Sequence, residues 1–310
     1  MTISAGDTDA LPGPAGTAAG RHSSGLKWAL AMTSTFLVVE VVGGLWTGSL
    51  ALIADAAHML TDVGGLLLAL VAMRFAARPA TPEKTFGYVR MEVLSALANA
   101  VVLLLLTVYI LYEAYQRFLA PPEILSGPML VVAVVGLAVN LVSMRLLHAG
   151  SKESLNLKGA YFEVLADMLG SVAVIMAALV IMLTGWTLAD PIIGAGIGLF
   201  IVPRTWILLK SAVNILMEGT PPEVDIGLLE RQLVDLPGVT AVHDLHVWTL
   251  TSGLDSMSCH LVVDDIETRR DVLIAAQKAM REGFGITHTT IQIEDAALRE
   301  AEGETHRRAK

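Results

Sequence analysis

Cysteine is nearly missing from this chain: Cys259 is the only one in 310 residues. A lone cysteine excludes an internal disulfide and any cysteine-rich metal cage. Charge is also scarce. Only 16% of the residues are charged, 54% are hydrophobic, and mean hydropathy is +0.62. Soluble globular chains hold about 25% charged and about 45–50% apolar residues, so this composition belongs to an integral membrane protein. Positive charge runs short toward the end: from Glu218 onward 17 acidic residues face 9 lysines and arginines. An acidic tail argues against nucleic acid as a partner and suits cations. Nucleophile and metalloprotease motifs are missing too. No His-Glu-x-x-His and no Gly-x-Ser-x-Gly occurs in the apolar segments, so the expectation is a protein that is not an enzyme.

What is present is a series of long apolar runs. Residues 1–25 are rich in Ala, Gly, Ser, Thr and Pro and read as a disordered tail. The first apolar run is too long for the core of a cleavable signal peptide. Six segments, approximately 26–47, 50–76, 90–118, 127–148, 159–183 and 190–211, each come near the roughly 20 residues needed to span a bilayer. Thr47-Gly48, Arg78 to Pro82, Pro121-Pro122, Gly150 to Lys158 and Thr184-Gly185 separate them. With the amino terminus inside, the inner segments hold Arg21, Lys27, Arg74, Arg78, Lys84, Arg90, Arg145, Lys152 and Lys158. The outer loops hold only Arg117, which predicts both termini on the cytoplasmic side of the cell membrane.

The remainder has a different rhythm. Val224 to Leu236 and Thr268 to Phe284 have helical periodicity, while Val239 to Thr251, Ser256 to Val263 and Thr289 to Glu294 read as strands. The order αββαβ predicts a small α+β domain. The expected division is a tail at 1–25, six transmembrane helices over 26–217, the α+β domain over 218–295 and a flexible end at 296–310.

Two of the apolar runs carry ionisable groups. Asp55, His58 and Asp62 stand at i, i+3 and i+7 and share one helix face; Glu163 and Asp167 stand one turn apart in the fifth run. Each ionisable group in hydrocarbon costs about 2.5–3.5 kcal/mol, so such residues are functional candidates. His58, Asp62, Glu163 and Asp167 can assemble a four-ligand divalent-metal site between two helices, since Zn²⁺ accepts imidazole nitrogen and carboxylate oxygen. A polar network that glues helices together is the bland alternative. Asp55 fits an entrance or a partner of His58. Glu40 and Asn140 fit hydrogen bonds to neighbours or a path lining. Asp190 fits a helix cap, and Arg204 a side chain that snorkels to the inner surface. Gly44-xxx-Gly48 and Gly194-xxx-Gly198 are spacings that let helices approach closely.

The runs Ser49 to Asp62, Arg78 to Thr81, Thr85 to Leu94, Asp167 to Val172, Asn214 to Pro221 and His243 to Trp248 resemble the cation diffusion facilitator family of zinc-type metal/proton antiporters. The resemblance spans about Lys27 to Asp295. It implies six spans, a homodimer, a cytoplasmic domain of ferredoxin-like, metallochaperone-like shape, and export of Zn²⁺ or a similar ion in exchange for protons. It also implies a cytoplasmic metal site at His243, His260 and Glu294, with His246 and His288 as weaker candidates. Members of the family similar to this chain have a histidine where Glu163 stands. With His58 neutral and three acids ionised the cluster carries −3, so Glu163 is expected to join His58 in carrying protons. A harder oxygen at that position also widens the expected range toward Cd²⁺, Mn²⁺ or Fe²⁺, although His58 and the intrinsic affinity order still favour Zn²⁺ over Mn²⁺ and Fe²⁺. Many relatives have a His-rich loop between spans four and five, whereas Ala149 to Ser154 contains no histidine. His22, His148 and His306 are expected to be incidental. A membrane metalloenzyme and a metal sensor that does not transport are the rival classes.

Overall fold

The computed structural model describes residues 23–76, 78–148 and 155–301. The tail expected at 1–25 lies outside the described residues up to residue 22, as do the loop at 149–154 and the stretch 302–310. Six long helices come first: α1 Ser23–Thr47, α2 Leu50–Ala76, α3 Met91–Leu119, α4 Ser126–His148, α5 Leu155–Thr184 and α6 Ala189–Leu216. Among the described residues five of them, α1 and α3 to α6, are long and apolar enough to cross a membrane. α2 is the sixth and has 27 residues.

The chain divides into two compact units. One is drawn from the chain up to Leu66 and from Asn99–Trp206, the other from Leu67–Ala98 and from Ile207 onward. The core of the first unit is built from small residues on several helices, including Ala51 and Ala56 of α2, Ala133 of α4 and Ala177 and Ala178 of α5. Small side chains let backbones come close. A methyl at Gly44 would meet Ile53 at 2.9 Å, and one at Gly194 would meet the backbone of Leu50 at 3.1 Å, so α1 and α6 both press on the start of α2. Large apolar side chains such as Leu105, Val108, Val131 and Phe200 stay on the outside. Such a surface matches lipid as the surrounding solvent.

The second unit contains the α+β domain: α7 Ile226–Val234, β1 Val239–Thr251, β2 Leu254–Val263, α8 Arg269–Phe284 and β3 His288–Glu294. The strand order is β1-β2-β3, with β1 antiparallel and β3 parallel to β2. Leu229 and Leu233 of α7, and Val272, Ala276 and Met280 of α8, recur every fourth residue and so face one side. They pack on Met257, Cys259 and Leu261 of β2. Strand alternation then turns His260 to the opposite face. Gly285, at φ 70°, ends α8 in the left-handed conformation that glycine adopts without strain. Two polar contacts within this unit join the start of α3 to the chain beyond α6: Arg90 donates to Glu218 at 3.0 Å and Thr251 donates to Glu92 at 2.7 Å. The flexible end expected from residue 296 differs in part. Residues 296–301 form a helical turn in which Leu298 N–H donates to the Asp295 carboxylate at 2.8 Å.

Candidate metal centre

α2 and α5 bring three of the four intramembrane candidates together. His58 Nε2 lies 3.6 Å from Asp62 Oδ2 and 3.8 Å from Asp167 Oδ1. One ligand atom from each residue falls within 4.8 Å of the other two. These separations are too long for hydrogen bonds. They are close to the edge of a tetrahedron, about 3.3–3.5 Å when metal–ligand bonds are about 2.0–2.1 Å. Asp62 Oδ2 and Asp167 Oδ1 are buried and have no hydrogen-bond partner among the described residues. Buried carboxylate oxygens without partners are costly, and a shared cation satisfies both.

Glu163, the fourth expected ligand, is placed differently. Its carboxylate accepts two hydrogen bonds from Arg204 of α6, Nη1 to Oε1 at 2.6 Å and Nη2 to Oε2 at 3.1 Å. Arg204, expected to snorkel to the inner surface, is 60% exposed and pairs with Glu163. A guanidinium in hydrocarbon gains more from a planar two-point pair with a carboxylate than from stretching alone. Sequence spacing pairs residues within one helix and is blind to a partner 41 residues away.

Asp55 is 2% exposed. Its carboxyl lies beside that of Glu40, also buried, and within 2.5 Å of where a methyl at Gly170 would stand. Asn140 Nδ2 donates to Ser171 Oγ at 3.4 Å, in keeping with a neighbour-bonding role. Asp190, expected as a helix cap, caps the start of α2. It accepts from Ser49 Oγ at 2.5 Å, from Leu50 N at 2.7 Å and from Ala51 N at 3.1 Å, and Arg117 Nη1 stands 3.4 Å away. The carboxylate meets the positive end of the helix that carries His58 and Asp62.

In the α+β domain a second trio forms. His243 and His260 face each other across β1 and β2. His243 Nε2 lies 3.0 Å from Glu294 Oε2, and His260 Nδ1 lies 2.6 Å from Glu294 Oε1. Glu294 is 0% exposed. His246 and His288 stay out of this trio: His246 faces Asp244 at 3.2 Å and His288 meets the edge of Phe86. Sequence reasoning missed Asp244. Pairing slips between His243 and His246, and Asp244 sits there at φ 49°, with Oδ2 3.8 Å from His260. A bulge of this kind re-aims a side chain. A histidine-rich strand interrupted by Asp was the available signal. Cys259, next to His260, points into the core instead, and burial pushes its thiol up to about 12.

Residues 26–217 match the family of the cation efflux transmembrane domain, and residues 221–296 match the cytoplasmic domain of cation efflux proteins. The chain belongs to the cation efflux family. This cation efflux protein is 51% identical over 288 residues to the metal cation efflux system protein CzcD of Cupriavidus metallidurans, covering 93% of this chain and 91% of that one. It is 41% identical over 271 residues to the cadmium, cobalt and zinc/H(+)-K(+) antiporter of Bacillus subtilis, covering 86% and 87%. It is 44% identical over 271 residues to the zinc transporter ZitB of Escherichia coli, covering 87% and 86%. A solved metal-bound C-terminal domain of the CzcD transporter is 42% identical, with 23% of this chain and 99% of that chain covered and a TM-score of 0.22. The protein is thus a membrane-spanning exporter of divalent metal cations, with six transmembrane helices and a small αββαβ domain.

Proposed function

We propose that the protein exports Zn²⁺ from the cytoplasm in exchange for protons, with both termini cytoplasmic in the cell membrane and the chain working as a homodimer. The observation that carries this reading is the convergence of His58, Asp62 and Asp167 from two apolar helices. A histidine must be neutral to bind metal, so loading expels a proton from a protonated imidazole and release lets one return. His58 is the proton carrier in this reading. Alternating exposure of the trio to the two sides then couples the flows. Zinc and H(+) both stand in the name of the Bacillus subtilis relative, and zinc in that of ZitB, which supports this choice of cargo and counter-ion. His243, His260 and Glu294 form a second, cytoplasmic zinc site in this reading, separate from the transport path.

The test is flux in sealed proteoliposomes that hold a zinc-sensitive dye and a pH-sensitive dye. Zinc uptake with opposite proton movement, lost together in Asp167→Asn, is the expected result. Zinc movement without any proton movement contradicts the exchange, and unchanged flux in Asp167→Asn contradicts the site.

A further inference from the structure

We propose that Glu163 and Arg204 form an ion pair that sets the charge of the transport site without ligating the metal; this rests on the metal-site reading above. The two-point ion pair engages both oxygens of Glu163, at 2.6 and 3.1 Å, and so holds its carboxylate against α6. His58, Asp62 and Asp167 form a group of ligand atoms within 4.8 Å, and Glu163 is outside it. Arg204 still acts on the trio, because Asp62 and Asp167 lie within its electrostatic reach. Asp62, Asp167 and Glu163 supply three negative charges and Arg204 returns one positive, so the assembly carries −2 with His58 neutral. A divalent cation then brings it to neutrality in a region where uncompensated charge is costly.

Three protein ligands also leave one position of a tetrahedral ion to solvent, as in exchangeable zinc sites and unlike closed structural ones. A site that must give up its cargo gains from that openness. Arg204 is the more accessible partner, 60% exposed against 27% for Glu163.

The experiment compares zinc flux by the full-length protein in proteoliposomes for Glu163→Gln, Arg204→Gln and the double variant, with Asp167→Asn alongside. Charge assignment fixes the signs. Glu163→Gln leaves −1 and raises the KM for Zn²⁺ about tenfold or more, whereas Arg204→Gln leaves −3, lowers KM and slows turnover. The double variant restores −2 and returns KM to within about threefold of the starting protein. A double variant as weak as Glu163→Gln alone means that Glu163 is a ligand and overturns the proposal. An unchanged or raised KM in Arg204→Gln overturns it as well, and this readout stands even where Glu163→Gln fails to fold. Loss of flux in Asp167→Asn keeps the underlying site intact, so failure of the pair and failure of the site are told apart.

Discussion

Two clusters of one chemical kind sit in two different scaffolds. Between α2 and α5, one imidazole and two carboxylates stand 3.6 and 3.8 Å apart with unsatisfied oxygens. On the sheet, two imidazoles close on Glu294 at 2.6 and 3.0 Å, the longer of these a hydrogen bond from His243. Helices hold their ligands at the spacing of a coordination shell, and the strands let theirs collapse onto one another. A cation entering the first cluster gives partners to two bare carboxylate oxygens, whereas one entering the second must displace the hydrogen bond between His243 and Glu294. The difference teaches which cluster suits passage of an ion and which suits tuning by it.

The contrast breaks first on the membrane acids. Asp167→Asn or Asp62→Asn lowers zinc flux by about 100-fold or more, because a ligand and a charge are lost together. Glu294→Gln, in the same flux assay, stays within about threefold, since distant sites act independently. Flux equal in both variants erases the distinction. Equilibrium zinc binding sharpens it: Glu294→Gln lowers the count of bound ions from two per chain, one for each cluster, to one.

Asp190 carries the next largest effect. It lies at the start of the helix that bears His58 and Asp62, and Asp190→Asn removes the charge facing Arg117 and one of the two oxygens that accept from Ser49, Leu50 and Ala51. Removing one member of such a buried set costs about 3–5 kcal/mol, read as a lower midpoint of thermal unfolding. An unchanged midpoint removes Asp190 from the account of how α2 is held.

The smallest effect concerns Cys259, on the core side of the sheet. Its thiol is pushed from 9.0 up to about 12, so the folded protein holds a proton that the unfolded chain gives up first. This contribution is complete below pH 9 and fades as pH rises toward 12, so stability of the domain declines over that window. Maleimide labelling at pH 8 is expected to be slow until denaturant is added. Rapid labelling of the native protein contradicts the burial.

Much of the architecture was legible because a bilayer imposes length and apolarity on every span. The expected 50–76 coincides with α2, and the other five spans agree within a few residues at each end. His58, Asp62 and Asp167 were visible as interruptions of apolar runs on helix faces. Partners were not visible. The link from Glu163 to Arg204, the grip of Asp190 on the start of α2 and the placing of Asp55 beside Glu40 all join separate helices. Periodicity tells which side of a helix a residue takes but not which neighbour it meets. Asp244 was hidden for another reason: strand alternation assumes even pairing, and the bulge breaks it.

The most direct measurement of the central claim is anomalous scattering at the zinc edge from crystals of the full-length protein soaked in Zn²⁺. The account predicts a peak between α2 and α5, about 2.0–2.2 Å from one nitrogen of His58 and from an oxygen each of Asp62 and Asp167. Full occupancy at His243, His260 and Glu294 with no peak between α2 and α5 in any captured state would contradict it.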